Sequence, residues 1–176
     1  MLLVKKGVGI MTETGIRQLF EQAVDTYSDM ITGLCLLRLG NRQDAEDCYQ
    51  NTFLKLFKNT EMLKEDSEYL KAWLIRVAIN ECKNRHRFLS RNKTENLDFI
   101  NLCYEEGEDR QLMESIMSLK KIYRDVIYLH YYMGYSVMEL SKILKARENT
   151  VKSRLKRGRE LLKEELLKRN CEEEFI

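Results

Sequence analysis

Between residues 13 and 39, Ile16, Leu19, Phe20, Ala23, Val24, Tyr27, Met30, Ile31 and Leu34 recur three and four positions apart. That is the repeat of a helix with one buried side. The pattern stops at "LGN" (39–41), so the segment predicts one helix or two in succession. "DAEDCYQNTFLKLFKN" (44–59) restarts with acids in its first turn, where the helix dipole favours them, and carries a stripe of Ala45, Cys48, Tyr49, Thr52, Phe53, Leu56 and Phe57. Phe57 is expected in the core. A polar stretch, "TEMLKEDSE", precedes a third helix over 69–87, with Leu70, Trp73, Leu74, Val77 and Ile79 or Cys82 inward and a basic end. The three segments form one small helical unit.

From residue 88 to 112 the periodicity lapses, and six acids with no base lie between Glu95 and Asp109. Such a stretch reads as a linker. Fully extended it would reach roughly 80 to 90 Å at about 3.3 to 3.6 Å per residue, enough to join sites about two turns of B-DNA apart at roughly 34 to 36 Å per turn. Helical spacing resumes with Ile116, Leu119, Ile122, Tyr123, Val126, Ile127 and Leu129, and Gly134 is placed to end that helix. "SVMEL" (136–140) is a capping box that opens a short helix, 137–144, with Val137, Leu140, Ile143 and Leu144 inward.

After "KAR" a final helix begins, and on it Val151, Leu155, Gly158 and Leu162 fall on one narrow face. Lys152, Lys156, Arg159 and Lys163 lie along one flank, Arg154 and Arg157 along the other, with Asn149, Ser153 and Glu160 outward. A short capped helix, a three-residue turn and a basic helix make the helix-turn-helix plan. Asn149, Ser153, Lys156 and Arg157 are placed to read base edges and the flanking cations to hold phosphates. Basicity alone would fit a solvated helix stabilised by charge pairs four residues apart; the capping box and the paired helices favour DNA.

Seven cations against one anion between Lys145 and Arg159, in a chain of net charge +2, leave the remainder acidic on balance. With 44% apolar and 33% charged residues, no proline and eight glycines, the composition favours an all-α fold: two small helical domains joined by an acidic linker, the second a helix-turn-helix. The divisions expected are a leader at 1–12, an N-terminal domain at 13–90, a linker at 91–112, a C-terminal domain at 113–170 and an acidic tail at 171–176. Met11 is an alternative start. Five scattered cysteines (35, 48, 82, 103, 171) with no CxxC pair argue against a disulfide framework or a zinc ribbon. Cys82 and His86 are two metal ligands without partners, so neither a metal nor a cofactor is expected. With no nucleophile–base pair or phosphate loop, an enzyme is not expected. No apolar run approaches a bilayer span, and a cytoplasmic protein is expected.

"TVKSRLKRGRELLKEEL", behind "LKKIYRDVIYLHYYMGYSVMELSKIL", resembles the C-terminal promoter-binding domain of bacterial RNA polymerase sigma factors of the extracytoplasmic-function (ECF) group. "DAEDCYQNTFLKLFKN" and "LKAWLIRVAINECKNRHR" are similar to that group's acidic-then-aromatic and tryptophan helices, and the likeness runs from residue 16 to 167. Lys120 stands where the group usually has Pro, Lys145 where it has Gly, Arg147 where it has a small N-cap and Asn84 where it has Asp. A left-handed Lys145 would cost about 1 kcal/mol relative to Gly.

The resemblance implies a factor that binds core RNA polymerase, carries it to promoter DNA and opens the duplex. By similarity, Asp44, Glu46, Asp47, Gln50, Phe53 and Leu54 would dock on the polymerase clamp helices. Asn80 and Asn84 would hold a flipped base of the minus-ten element against a wall formed by loop 59–68, while Lys83, Arg85, Arg87 and Arg91 take its phosphates. Arg147, Asn149, Thr150, Lys152, Ser153, Arg154, Lys156 and Arg157 would read the minus-thirty-five element. A membrane-anchored anti-sigma protein is the implied regulator. The rival is a stand-alone helix-turn-helix regulator that binds duplex DNA as a dimer.

Overall fold

The computed structural model describes residues 13–89 and 108–173, and these are helical throughout apart from turns. The leader (1–12), most of the acidic linker with Arg91, and residues 174–176 lie outside the described residues.

Helix α1 (Glu13–Leu39) is a single uninterrupted helix. It ends at Gly40, whose φ of 74° lets its amide turn back to the Leu36 carbonyl at 2.8 Å. Asn41 then caps α2 (Arg42–Lys58): its Oδ1 accepts from the Asp44 amide at 2.8 Å, and its Nδ2 donates to the Asp44 carboxylate at 2.6 Å. A short 3-10 turn (Thr60–Lys64) leads to α3 (Ser67–Leu89), where the Asp66 carboxylate accepts from the Tyr69 amide. Ile31, Leu34, Leu37, Leu56, Leu74 and Ile75 are fully buried where the three helices meet. Each contributes about 1.5 to 3 kcal/mol of apolar burial. At the centre sit Cys35, Cys48 and Cys82, one from each helix and all buried with free thiols. The neighbouring Cys82 thiol and burial push Cys48 well above the ordinary range, and Cys35 and burial do the same to Cys82 against an opposing effect of Cys48.

Phe57 departs from expectation, being 58% exposed. The buried face of α2 is centred on Ala45, Thr52 and Leu56, and Phe57 stands about 100° round the helix from Leu56, meeting Phe20 edge to face. Trp73, expected in the core, is half-buried against it.

The second bundle comprises α4 (Glu108–Ser118), α5 (Lys121–Ile127) with a π-helical turn at Tyr128–Tyr132, α6 (Val137–Ile143) and α7 (Glu148–Glu173). The single helix expected across 116–129 is divided at Lys120, which is extended (φ −57°, ψ 140°). Its φ is the value a proline ring would impose. Helix α4 begins at Glu108, inside the stretch read as linker. Gly158 of α7 is buried because a Cβ there would meet Ile127 at 3.0 Å; its absence lets α7 lie close on α5.

Candidate nucleic-acid interface

The α6–α7 corner is built by local chemistry. Ser136 Oγ accepts from the Glu139 amide at 3.3 Å while the Ser136 amide and hydroxyl donate to the Glu139 carboxylate at 2.8 and 2.6 Å, closing the expected capping box. These bonds hold the Glu139 carboxyl below its usual range. Helix α6 stops at Lys145, the one described non-glycine residue with positive φ, at 50°. There the Ala146 amide turns back to the Ser141 carbonyl at 2.9 Å, and the Arg147 carbonyl then receives the amides of Thr150 and Val151 to start α7. Val151 and Leu155 are buried with Leu140 and Ile143, anchoring α7 along the narrow face that spacing defined.

The opposite side of α7 is open. Arg147, Asn149, Lys152, Ser153, Lys156 and Arg157 are exposed, and Thr150 and Arg154 are half-buried at its margins. Arg157 pairs with Glu160 at 3.1 Å and Arg159 donates to the Tyr131 hydroxyl at 3.2 Å. Both are surface contacts, of little net worth and readily exchanged for a phosphate. The side chains are thus arranged as donors on one solvent face, with apolar anchoring behind them.

On the first bundle, Asn80, Lys83, Asn84 and Arg87 are all exposed and recur at i, i+3, i+4 and i+7. They share one face of α3. Arg85 points elsewhere: its guanidinium binds the Asp44 carboxylate at 2.5 and 2.6 Å and Asp47 at 3.2 Å. Arg85, grouped above with the phosphate ligands, is therefore a clasp between α3 and α2. Asp44, grouped with the docking acids, is buried between Asn41 and Arg85. Phe53 is 5% exposed and packs on Tyr49 with ring centroids 4.9 Å apart. Of the α2 residues expected to dock, those that remain accessible are Glu46, which pairs with Arg42 at 2.7 Å, half-buried Asp47, Gln50 and Leu54 (48% exposed). Phe57, placed in the core by its spacing, extends this surface by one turn.

Two family models match the chain, Sigma-70 region 2 over residues 23–92 and Sigma-70 region 4 over residues 109–162. The ECF RNA polymerase sigma factor SigW of Bacillus subtilis is 30% identical across 94% of this chain and 97% of its own. The chain belongs to the ECF RNA polymerase sigma factors. The ECF sigma-E factor of Haemophilus influenzae is 25% identical, covering 88% of this chain and 90% of that one. Among solved structures, the sigma factor RpoE of Bartonella quintana, crystallised with the anti-sigma factor NepR, superposes with a TM-score of 0.68 at 23% identity over 85% of this chain and 96% of that one. CnrH in complex with the cytosolic domain of CnrY gives 0.62 at 21% identity, over 85% and 88%. These two likenesses concern the fold.

As an alternative sigma factor, the protein binds core RNA polymerase and directs promoter-specific transcription initiation. The region 2 match takes in α1 from residue 23 with α2 and α3, and the region 4 match runs from residue 109 in α4 to residue 162 in α7. The exposed face of α3 and the open side of α7 therefore belong to different regions of one initiation factor. Among the described residues no helix is long and apolar enough to cross a membrane.

Proposed function

We propose that the sigma factor divides its work among three surfaces. Glu46, Asp47, Gln50, Leu54 and Phe57 on α2 meet the polymerase clamp, with Asp44 and Phe53 supporting them from beneath. Asn80 and Asn84 hold the unpaired minus-ten base, while Lys83 and Arg87 take strand phosphates and Arg85 fixes the α2 acids. Arg147 to Arg157 on α7 engage the minus-thirty-five duplex. The shared i, i+3, i+4, i+7 face of α3 carries this reading, because a solvated helix end has no reason to align two amides with two cations.

We assign the sigma factor to the cytoplasm, under a membrane-anchored anti-sigma protein; the solved relatives bound to NepR and to the cytosolic domain of CnrY support an anti-sigma partner. Run-off transcription with core polymerase on genomic fragments, including the gene's own promoter, tests the assignment. New discrete start sites are expected. Duplex binding by the protein alone, without a transcript, would instead favour a stand-alone regulator. Leu54→Glu should remove polymerase binding while leaving helicity and melting unchanged; retained binding would displace the clamp surface from α2.

A further inference from the structure

Lys120 forms the elbow between α4 and α5, and its exposed ammonium has no carboxylate partner among the described residues. Its backbone is committed: the Lys120 carbonyl receives the Tyr123 and Arg124 amides at 2.9 and 3.1 Å. The free charge is therefore carried on a fixed support. Helix α7 runs past this elbow at close range, because Gly158 has no Cβ to hold off Ile127 and Tyr123, which such an atom would meet at 3.0 and 3.5 Å.

The close approach leaves a cleft of about 290 Å³ between the elbow and α7. Leu119 and Leu161 give it an apolar lining, Lys120 borders it from the elbow and Arg157 from α7. Glu165 also lines the cleft, but its carboxylate is paired with Lys168 at 3.3 Å, as Arg157 is with Glu160 at 3.1 Å. Both are exposed pairs between near neighbours on one helix, of small worth against a phosphate.

The cleft opens toward the nucleic-acid side of α7. Asn149, Ser153, Arg157 and Leu161 are four residues apart, so each stands about 40° further round the helix than the one before. The row winds from the open side of α7 into the cleft, with Arg157 at the turn between them. A DNA strand held by Arg157 lies at the cleft mouth, where Lys120 is the next cation.

We propose that Lys120 is a further DNA-positioning residue, a role that rests on the reading of α7 given above: a phosphate of the minus-thirty-five duplex, outside the base pairs that α7 reads, docks between Lys120 and Arg157. Cations on two sides of a cleft hold a phosphate from two directions. They fix the depth and register at which α7 enters the groove and carry no sequence information themselves.

The holoenzyme, titrated at several salt concentrations against the promoter duplex that run-off transcription identifies, tests this. Lys120→Gln removes the charge and keeps the backbone amide. Lys120→Pro removes the charge and suits a residue whose φ is already −57°. Both should bind about fivefold more weakly at about 0.15 M salt, with the slope of log K against log salt reduced by about 0.9, the release of one counterion. Lys120→Arg should match wild type, and base preference should be the same in all four proteins. Neutral methylphosphonates placed one at a time along both strands should include one position that weakens wild type and leaves Lys120→Gln unaffected. Unchanged slopes in both charge-removing variants, or weaker binding with no such phosphate position, would overturn the proposal. Lys156→Ala separates the two levels: a reduced slope there beside unchanged Lys120 variants leaves α7 on the duplex and Lys120 merely solvated, whereas an unchanged slope there as well would overturn the reading of α7 itself.

Discussion

Lys145 holds φ at 50° where a side chain is disfavoured, and the Ala146 amide closes the turn behind it. Lys145→Gly should therefore raise stability by about 1 kcal/mol, the strain of a left-handed side chain, read as a higher denaturation midpoint at unchanged slope. Asp44 behaves oppositely. Asp44→Ala removes a buried carboxylate bonded to Asn41 and Arg85, and should cost about 2 to 3 kcal/mol in chemical denaturation. Phe57→Ser should cost almost no stability and should weaken core-polymerase association, because the ring is mostly in water. The outward residues of α7 were legible from spacing alone, since one apolar stripe fixes every other direction on a helix. Asp44, Arg85 and Phe53 were not, because a charge or a ring in the sequence does not reveal whether a second helix lies over it.

Helix types and order followed from periodicity, and the capping box at Ser136 and the end at Gly134 followed from local chemistry that tertiary packing left in place. The break at Lys120 escaped because it depends on Arg124, whose guanidinium gathers the Met117 and Leu119 carbonyls. Nothing in the periodicity marks that. Helix α7 as a unit should behave as a phosphate-binding rod with a base-reading side. Lys156→Ala should reduce the salt dependence of minus-thirty-five duplex binding by about one unit of slope, uniformly across sequences, whereas Asn149→Ala should relax preference at one base position. Binding titrations at several salt concentrations distinguish the two. Ser136→Ala, which removes one half of the capping box, should cost about 1 kcal/mol of stability.

The contact between the bundles, where Arg38 of α1 pairs with Asp125 of α5, was invisible in the sequence, since no local pattern couples Arg38 to a partner 87 residues away. It also carries a pH signature. Lys121 is lowered from 10.5 to about 8 by burial and by the neighbouring Arg124 and Arg38 guanidinium groups, with Asp125 acting in the opposite direction. Between pH 8 and 10.5 the unfolded chain binds more protons at this lysine than the folded one, so its contribution to stability rises with pH across that window. Melting curves of wild type minus Lys121→Met should show that rise; a flat difference would place Lys121 in water. The three thiols inside α1–α3 offer a clock for the first bundle alone. Cys35, Cys48 and Cys82 come from three different helices and are sealed from solvent, so an alkylating reagent reaches them only when that bundle opens. Their modification rates, followed site by site by mass spectrometry, should rise and fall in concert, reporting how often region 2 comes apart.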